Sequence, residues 1–352
     1  MIIKHMTLSL TLMLFLTFCC SCANMPILEG NGESAANAEK TLVPHQSWTC
    51  GMQEGIPKPE NGNLVLEAQM NLDKVYELGK TPYGQRQVLV IKDGTITSEK
   101  IQASVLPGGL EFELTLSNGV IEIEQVLVFQ TNDNKYIYMR NAGTGINEND
   151  VRVVMDFEAP NNSSAAWLNT GQYVARRTVD LMAGTLKMTV YDISELKTDT
   201  SNFVKISKPT DVPCQPWDYR KASPSEQRGE EFITETVTLG RSTSVGQSKR
   251  GMRNIIPITG GTLSGNITGK VLFGGADYQN FTNGPAIDAR YLWQADTGEI
   301  IIVRNTGPMG FLVPTFETQV DGKYSWLNSG TYLSSNPGMG AGGVSLTMYK
   351  SN

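Results

Sequence analysis

Residues 301–310 read IIVRNTGPMG, and residues 137–145 read IYMRNAGTG. Each is an apolar strand phrase that runs into Arg-Asn and then a Gly-containing turn. The flanks repeat as well. SVLPGGLEFELTLSNGVIEIEQVLVFQTNDNKYIYMRNAGTG, from Ser104, sets beside KVLFGGADYQNFTNGPAIDARYLWQADTGEIIIVRNTGPMG, from Lys270. A Gly-Gly pair recurs (Gly108-Gly109, Gly274-Gly275), as does an Asn-Gly turn (Asn118-Gly119, Asn283-Gly284). Further along, VMDFEAP (154–160) answers VPTFETQ (313–319), and AAWLNTGQYV (165–174) answers YSWLNSGTYL (324–333). Both copies close on an alternating strand, LKMTVYDI (186–193) and VSLTMYKS (344–351), and the spacing over these matches stays between 158 and 166. Upstream, YGQRQVLVIKDG (83–94) matches RGMRNIIPITGG (250–261). The repeated unit is a whole domain, far longer than a solenoid repeat.

Within a copy the period is two. Phe112, Leu114 and Leu116 alternate with Glu111, Glu113 and Thr115, and Tyr136, Tyr138 and Arg140 share the face opposite Ile137 and Met139. Such alternation, cut by Asn-Gly and Asp-x-Gly turns, predicts half-buried antiparallel strands and no amphipathic helix. The fold class read from this is all-β: two antiparallel β-barrels in tandem, since closure leaves no bare sheet edge. The expected organisation is a signal peptide over 1–23, an irregular arm over 24–60, a first barrel over 61–196, a linker over 197–230 rich in Pro, Ser and charge, and a second barrel over 231–352.

Met1 to Ala23 has a short basic start, the apolar run LSLTLMLFLTFCC and small residues at the end. This is the pattern of a secretory signal with cleavage after Ala23, and no membrane span is expected. The alternative is a bacterial lipoprotein anchored at Cys22. Removal of this segment takes Cys19, Cys20, Cys22 and His5 with it and leaves Cys50, Cys214 and His45. In an oxidising compartment Cys50 and Cys214 either pair or stay as two thiols. Asn161, Asn162, Asn266 and Asn280 each open an N-x-[ST] sequon, which in a eukaryotic host makes them glycosylation candidates.

One histidine and two cysteines are too few for the usual zinc site or a Ser-His-Asp triad, so no metal is expected. No GxGxxG after a strand and no Walker loop appear, so no cofactor is expected. The net charge of −6 argues against nucleic acid as a partner.

VLFGGADYQ, IDARYLWQADTGEIIIVRN, PTFET and YSWLNSGTY resemble the DUF3237 (AtaL-like) family over most of 232–352, and the first copy follows in register over about 62–193. The first copy departs from the second in carrying Leu110-Glu111 for Ala276-Asp277, and Ile123-Glu124-Gln125-Val126 for Asp288-Ala289-Arg290-Tyr291. The resemblance implies a barrel of lipocalin-like or allene-oxide-cyclase-like outline with a central cavity for a small apolar organic ligand. It also suggests cofactor-free cyclase or isomerase chemistry, of pericyclase or Diels–Alderase type, in secondary metabolism. The alternative is a non-catalytic secreted binding or carrier protein. Polar residues repeated in both copies are the site candidates. Arg304, Glu317, Asn328 and Tyr332 are the expected donors and acid–base groups. Asp288, Arg290, Trp326, Arg140, Glu158 and Trp167 are the expected ligand contacts. Against this, a repeated Trp-x-Asn suits a barrel plug, and an Arg–Glu pair suits architecture.

Overall fold

The computed structural model describes residues 41–45, 50–197, 202–213, 220–340 and 343–352. The expected signal peptide, residues 24–40 of the arm and Cys214 lie outside the described residues. Among the described residues there is no α-helix, only short 3-10 turns.

The first barrel is built from β1 (Asn63–Thr81), β2 (Gly84–Thr97), β3 (Leu110–Thr115), β4 (Ile121–Thr131), β5 (Tyr136–Gly145), β6 (Val151–Met155), β7 (Tyr173–Asp180) and β8 (Thr185–Asp192). Each strand pairs antiparallel with the next, and β8 pairs with β1, so the eight strands close an up-and-down ring. The second barrel repeats the plan with β9 (Arg228–Leu239), β10 (Gly251–Gly265), β11 (Ala276–Asn280), β12 (Ala286–Ala295), β13 (Ile300–Pro308), β14 (Val313–Glu317), β15 (Tyr332–Ser334) and β16 (Gly343–Ser351). Its ring is completed by a single bridge, where the Ser334 N–H donates to the Leu312 carbonyl at 3.0 Å. In the segment expected to link the barrels, Phe203–Lys205 pairs in parallel with Thr41–Val43 of the arm. That ribbon carries Leu42 and Val204 onto Leu114, Leu116 and Val120 at one end of the first barrel.

Both interiors are filled. Ile91, Ile123, Leu127, Phe129, Val153 and Met188 sit in the first, and Ile233, Tyr291, Trp293, Ile301, Val303 and Phe316 in the second. Each such side chain contributes ~1.5–3 kcal/mol on burial. A third apolar cluster lies between the barrels. Val88, Val90, Phe112, Val126 and Tyr138 of the first meet Ile255, Tyr278, Leu292 and Ile302 of the second, on outward faces. Strand β3 is therefore buried on both sides. Phe112 and Leu114 point out of the barrel toward this seam and the ribbon, while Glu111 and Glu113 point in. The alternation fixes two faces but does not say which one is inside.

The Gly-Gly pairs meet at the seam. Gly275 donates its N–H to the Gly108 carbonyl at 2.6 Å, with φ +79° at Gly275 and +92° at Gly108. A Cβ on Gly275 would lie 1.9 Å from the Arg290 carbonyl oxygen, so only glycine permits both the left-handed turn and the approach.

Candidate functional site

The arginine and glutamate residues common to both copies gather at the seam, outside both barrels. Along β4 and β12 the residues turned inward are Ile123, Gln125 and Leu127, and Ala289, Tyr291 and Trp293. The intervening Glu124, Asp288 and Arg290 turn outward, as do Arg140 and Arg304 on the partner strands. The expectation that these groups line a cavity within a barrel is thus corrected by strand register. So is one correspondence between the copies. Glu124 lies opposite Ala142 and Asp288 opposite Thr306, making Glu124 the counterpart of Asp288 and Val126 that of Arg290, one position away from the correspondence expected from the sequence.

Two exchanged ion pairs cross the seam. Arg86 donates from Nε and Nη2 to Glu317 at 2.7 and 3.0 Å, and Arg253 donates from Nε and Nη2 to Glu158 at 2.8 and 2.7 Å. Arg86 and Arg253 are the same position of the repeat, as are Glu158 and Glu317. A hydroxyl completes each carboxylate: Thr81 to Glu317 at 2.8 Å and Ser248 to Glu158 at 2.7 Å. Backbone bonds repeat the exchange, Val320 N–H to Lys80 and Asn161 N–H to Gln247. This is the geometry of a twofold interface, each barrel giving the other the same groups. Burial pushes the Glu317 carboxyl up, but Arg86 and Arg304 prevail and hold it below the usual carboxylate range. Arg304 does reach Glu317, at 3.6 Å, and also Glu124 at 3.5 Å, with its guanidinium over the Phe112 ring. Arg290 is fully buried against Glu124 and donates to Asp288 at 3.1 Å. A locked, ionised Glu317 is a poor proton shuttle.

Asn328 and Tyr332 do different work. Asn328 accepts from the Thr318 N–H at 2.9 Å and donates to the Thr318 carbonyl at 3.0 Å, and Asn169 clamps Ala159 in the same way. The Tyr332 hydroxyl donates to the Trp326 carbonyl at 3.2 Å, as Tyr173 does to Trp167. Both Trp residues pack edge-on against those tyrosines at 6.2 Å. These groups plug one end of each barrel, and the Asn amides and Tyr hydroxyls are engaged by the turn they hold.

The large cavity is a groove of about 960 Å³ at one edge of the seam. Three of the expected ligand contacts, Arg140, Glu158 and Asp288, line it. Its two walls differ. Met52, Ala142, Val154, Ile193 and Leu196, from the arm, β5, β6 and the chain after β8, form an apolar wall. Asp156, Lys249, Arg250 and Arg253, with Arg140, Glu158 and Asp288, form a charged one. Lys249 and Arg250 both reach across to Asp156. Tyr138 also lines the groove. It is 2% exposed, its hydroxyl has no hydrogen-bond partner, and the Arg253 guanidinium lies 4.7 Å from its ring centre. Burial first, and Asp288 second, raise its pKa well above the ordinary tyrosine value, so the hydroxyl keeps its proton. Cys50 lines the same groove as a buried free thiol, pushed up by burial, while its expected partner Cys214 is outside the described residues. Of the sequon residues, Asn161, Asn162 and Asn266 are exposed and Asn280 is half-buried. The Asn161 amide donates to Ser248 and the Asn280 amide to Arg250, each at 3.0 Å.

Two buried polar clusters inside the barrels escaped the sequence reading. In the first barrel Arg177 donates to Glu111 and Glu113, Gln125 donates to Glu111, and Asn141 donates to Gln125 at 3.0 Å. In the second, Glu235 is fully buried and accepts from the Tyr291 hydroxyl at 2.5 Å and the Trp293 indole N–H at 2.9 Å. Burial pushes Glu235 up to about 7, against those two bonds. Glu235 faces Leu346 as Ala68 faces Met188, so the two copies differ in what they bury at one position. Its signal in the sequence was a lone Glu on an otherwise apolar face of β9. Among the described residues no cluster of three or more His, Cys, Asp or Glu is placed to hold a metal ion.

Comparison with known proteins bears on one copy at a time. A UPF0311 protein of Bradyrhizobium diazoefficiens is 34% identical over 127 residues, which is 29% of this chain and 83% of that protein. The crystal structure of a conserved protein of unknown function from Rhodopseudomonas palustris aligns with 37% of this chain and 95% of its own, at 23% identity and a TM-score of 0.33. A β-barrel-like protein from Acinetobacter baumannii aligns with 37% of this chain and 94% of its own, at 20% identity and a TM-score of 0.34. The family described as DUF3237, protein of unknown function, matches residues 61–196 and 228–310, more than half of the 352 residues. This chain therefore belongs to the DUF3237 family, and carries two tandem copies of its barrel.

Proposed function

We propose that this chain is a secreted, non-catalytic binding protein for a small organic molecule, and that the ligand occupies the seam groove. The observation that carries this is the groove itself: about 960 Å³, with one apolar and one charged wall and a buried tyrosine hydroxyl that has no partner. Both barrel interiors are occupied by packed side chains, which favours the groove outside them as the place for a guest. Asp156, Glu158 and Asp288, which line it, are engaged by arginines, which suits recognition better than proton transfer. Secretion rests on the N-terminal signal pattern. Native mass spectrometry of the protein recovered from its producing cells tests the reading. One bound organic molecule per chain is expected, displaced when the exposed rim residue is changed, Gln172→Trp. Protein that carries no guest, or a guest indifferent to that change, contradicts it.

A second reading, a cofactor-free cyclase or isomerase, draws support from Glu235 alone. A carboxyl held near neutrality beside Tyr291 and Trp293 has the character of a general acid–base. Turnover of a candidate substrate that survives Glu235→Gln unchanged would remove that support.

A further inference from the structure

The groove makes a more specific demand on its guest, an argument that rests on the binding reading above. Tyr138 sits on the outward face of β5, between the Arg253 guanidinium over its ring and the Tyr278 ring at 5.0 Å. Its hydroxyl is enclosed by protein yet unpaired. Burying a hydroxyl without a partner is costly, and an unpaired one beside a groove is open to completion by a guest. The repeat shows that the hydroxyl is not needed to build the seam. The counterpart of Tyr138 in the second barrel is Ile302, which fills the equivalent outward position of β13 with hydrocarbon. Tyr138 lies opposite Glu158 as Ile302 lies opposite Glu317, so both positions flank a crossed ion pair. Only the first barrel's version adds a donor, and that version lines the groove.

The surroundings say what the donor meets. Five cationic side chains line the groove (Arg140, Lys197, Lys249, Arg250, Arg253) against four anionic ones (Glu54, Asp156, Glu158, Asp288), so an anionic group is favoured over an ammonium. Beside these, two residues further along the same strands, lies an apolar patch of Ala142 and Val154 with Met52 and Leu196. We propose that the Tyr138 hydroxyl is the anchoring donor for a largely apolar organic acid. The carboxylate oxygen of the acid accepts from Tyr138 and lies toward the lysine and arginine side chains, and its hydrocarbon body lies on the apolar patch.

Calorimetric titration with 2-naphthoate tests this, with 2-naphthylmethylamine as the cation of matched size. The wild-type chain should bind the naphthoate and prefer it to the amine. Tyr138→Phe should weaken naphthoate at least tenfold while its thermal midpoint stays at or above that of the wild type, because only an unpaired hydroxyl is lost. Gln172→Trp should abolish binding. Undiminished naphthoate binding by Tyr138→Phe, with Gln172→Trp still blocking, overturns the anchor and leaves the groove reading standing. Preference for the amine overturns the ligand class. Binding that survives Gln172→Trp places the guest elsewhere and overturns the groove reading itself.

Discussion

The two barrels share one scaffold and differ in where they keep polar groups. Both contribute the same arginine, the same glutamate and the same hydroxyl position to the seam, so each completes the other. Inside, the first barrel buries an Arg177–Glu111–Glu113 cluster, and the second buries Glu235 with two aromatic donors. Outside, Tyr138 stands where the second barrel has Ile302. The crossed ion pairs, through which each barrel depends on the other, are alike in both copies. The interiors differ, and so do seam positions outside those pairs, such as Tyr138 and Ile302 or Val126 and Arg290.

The largest effect should come from breaking that dependence. Glu317→Ala strands the Arg86 guanidinium, 1% exposed, and should cost ~3–5 kcal/mol in urea unfolding. Glu158→Ala should cost less, because Arg253 is 9% exposed at the groove edge and water can reach it. Equal costs would erase the distinction between the two ends of the seam.

Next comes pH. Glu235 is held at about 7 in the folded protein against an ordinary 4.5, so the native state keeps a proton that the unfolded chain has released. The stability this adds is complete below about pH 4.5 and is lost as pH rises through 7, on the order of 3 kcal/mol in all. Glu235→Gln should flatten that part of the stability profile, and a slope unchanged by the substitution would place the titration elsewhere.

A smaller and symmetrical effect is expected at the plugs. Asn328→Ala and Asn169→Ala each lose two bonds to one backbone unit and should each cost ~1–3 kcal/mol in thermal melts, without changing binding of a guest. Binding lost on Asn328→Ala alone would return that residue to a functional role. The smallest effect belongs to Tyr138→Phe, which without a guest should leave stability unchanged or raise it by ~1 kcal/mol.

The doubling, the strand period and the family were legible because they rest on local pattern: Arg-Asn, Gly-Gly and Trp-Leu-Asn recur in register. The site was half legible. Arg304, Glu317, Asp288, Arg290, Arg140 and Glu158 do assemble, but on outward faces, because period-two alternation does not say which face is enclosed. Asn328 and Tyr332 recur because the plug recurs, which is a structural reason. Tyr138 was visible only as one of three residues on a face. Its meaning depends on burial against another barrel, and no spacing within one copy reveals that.

The most direct test of the account is a crystal structure grown with 2-naphthoate. Density is expected in the groove, with the carboxylate at ~2.6–2.8 Å from the Tyr138 hydroxyl oxygen and the rings against Met52 and Val154. Density within either barrel, beside Arg177 or Glu235, would contradict it.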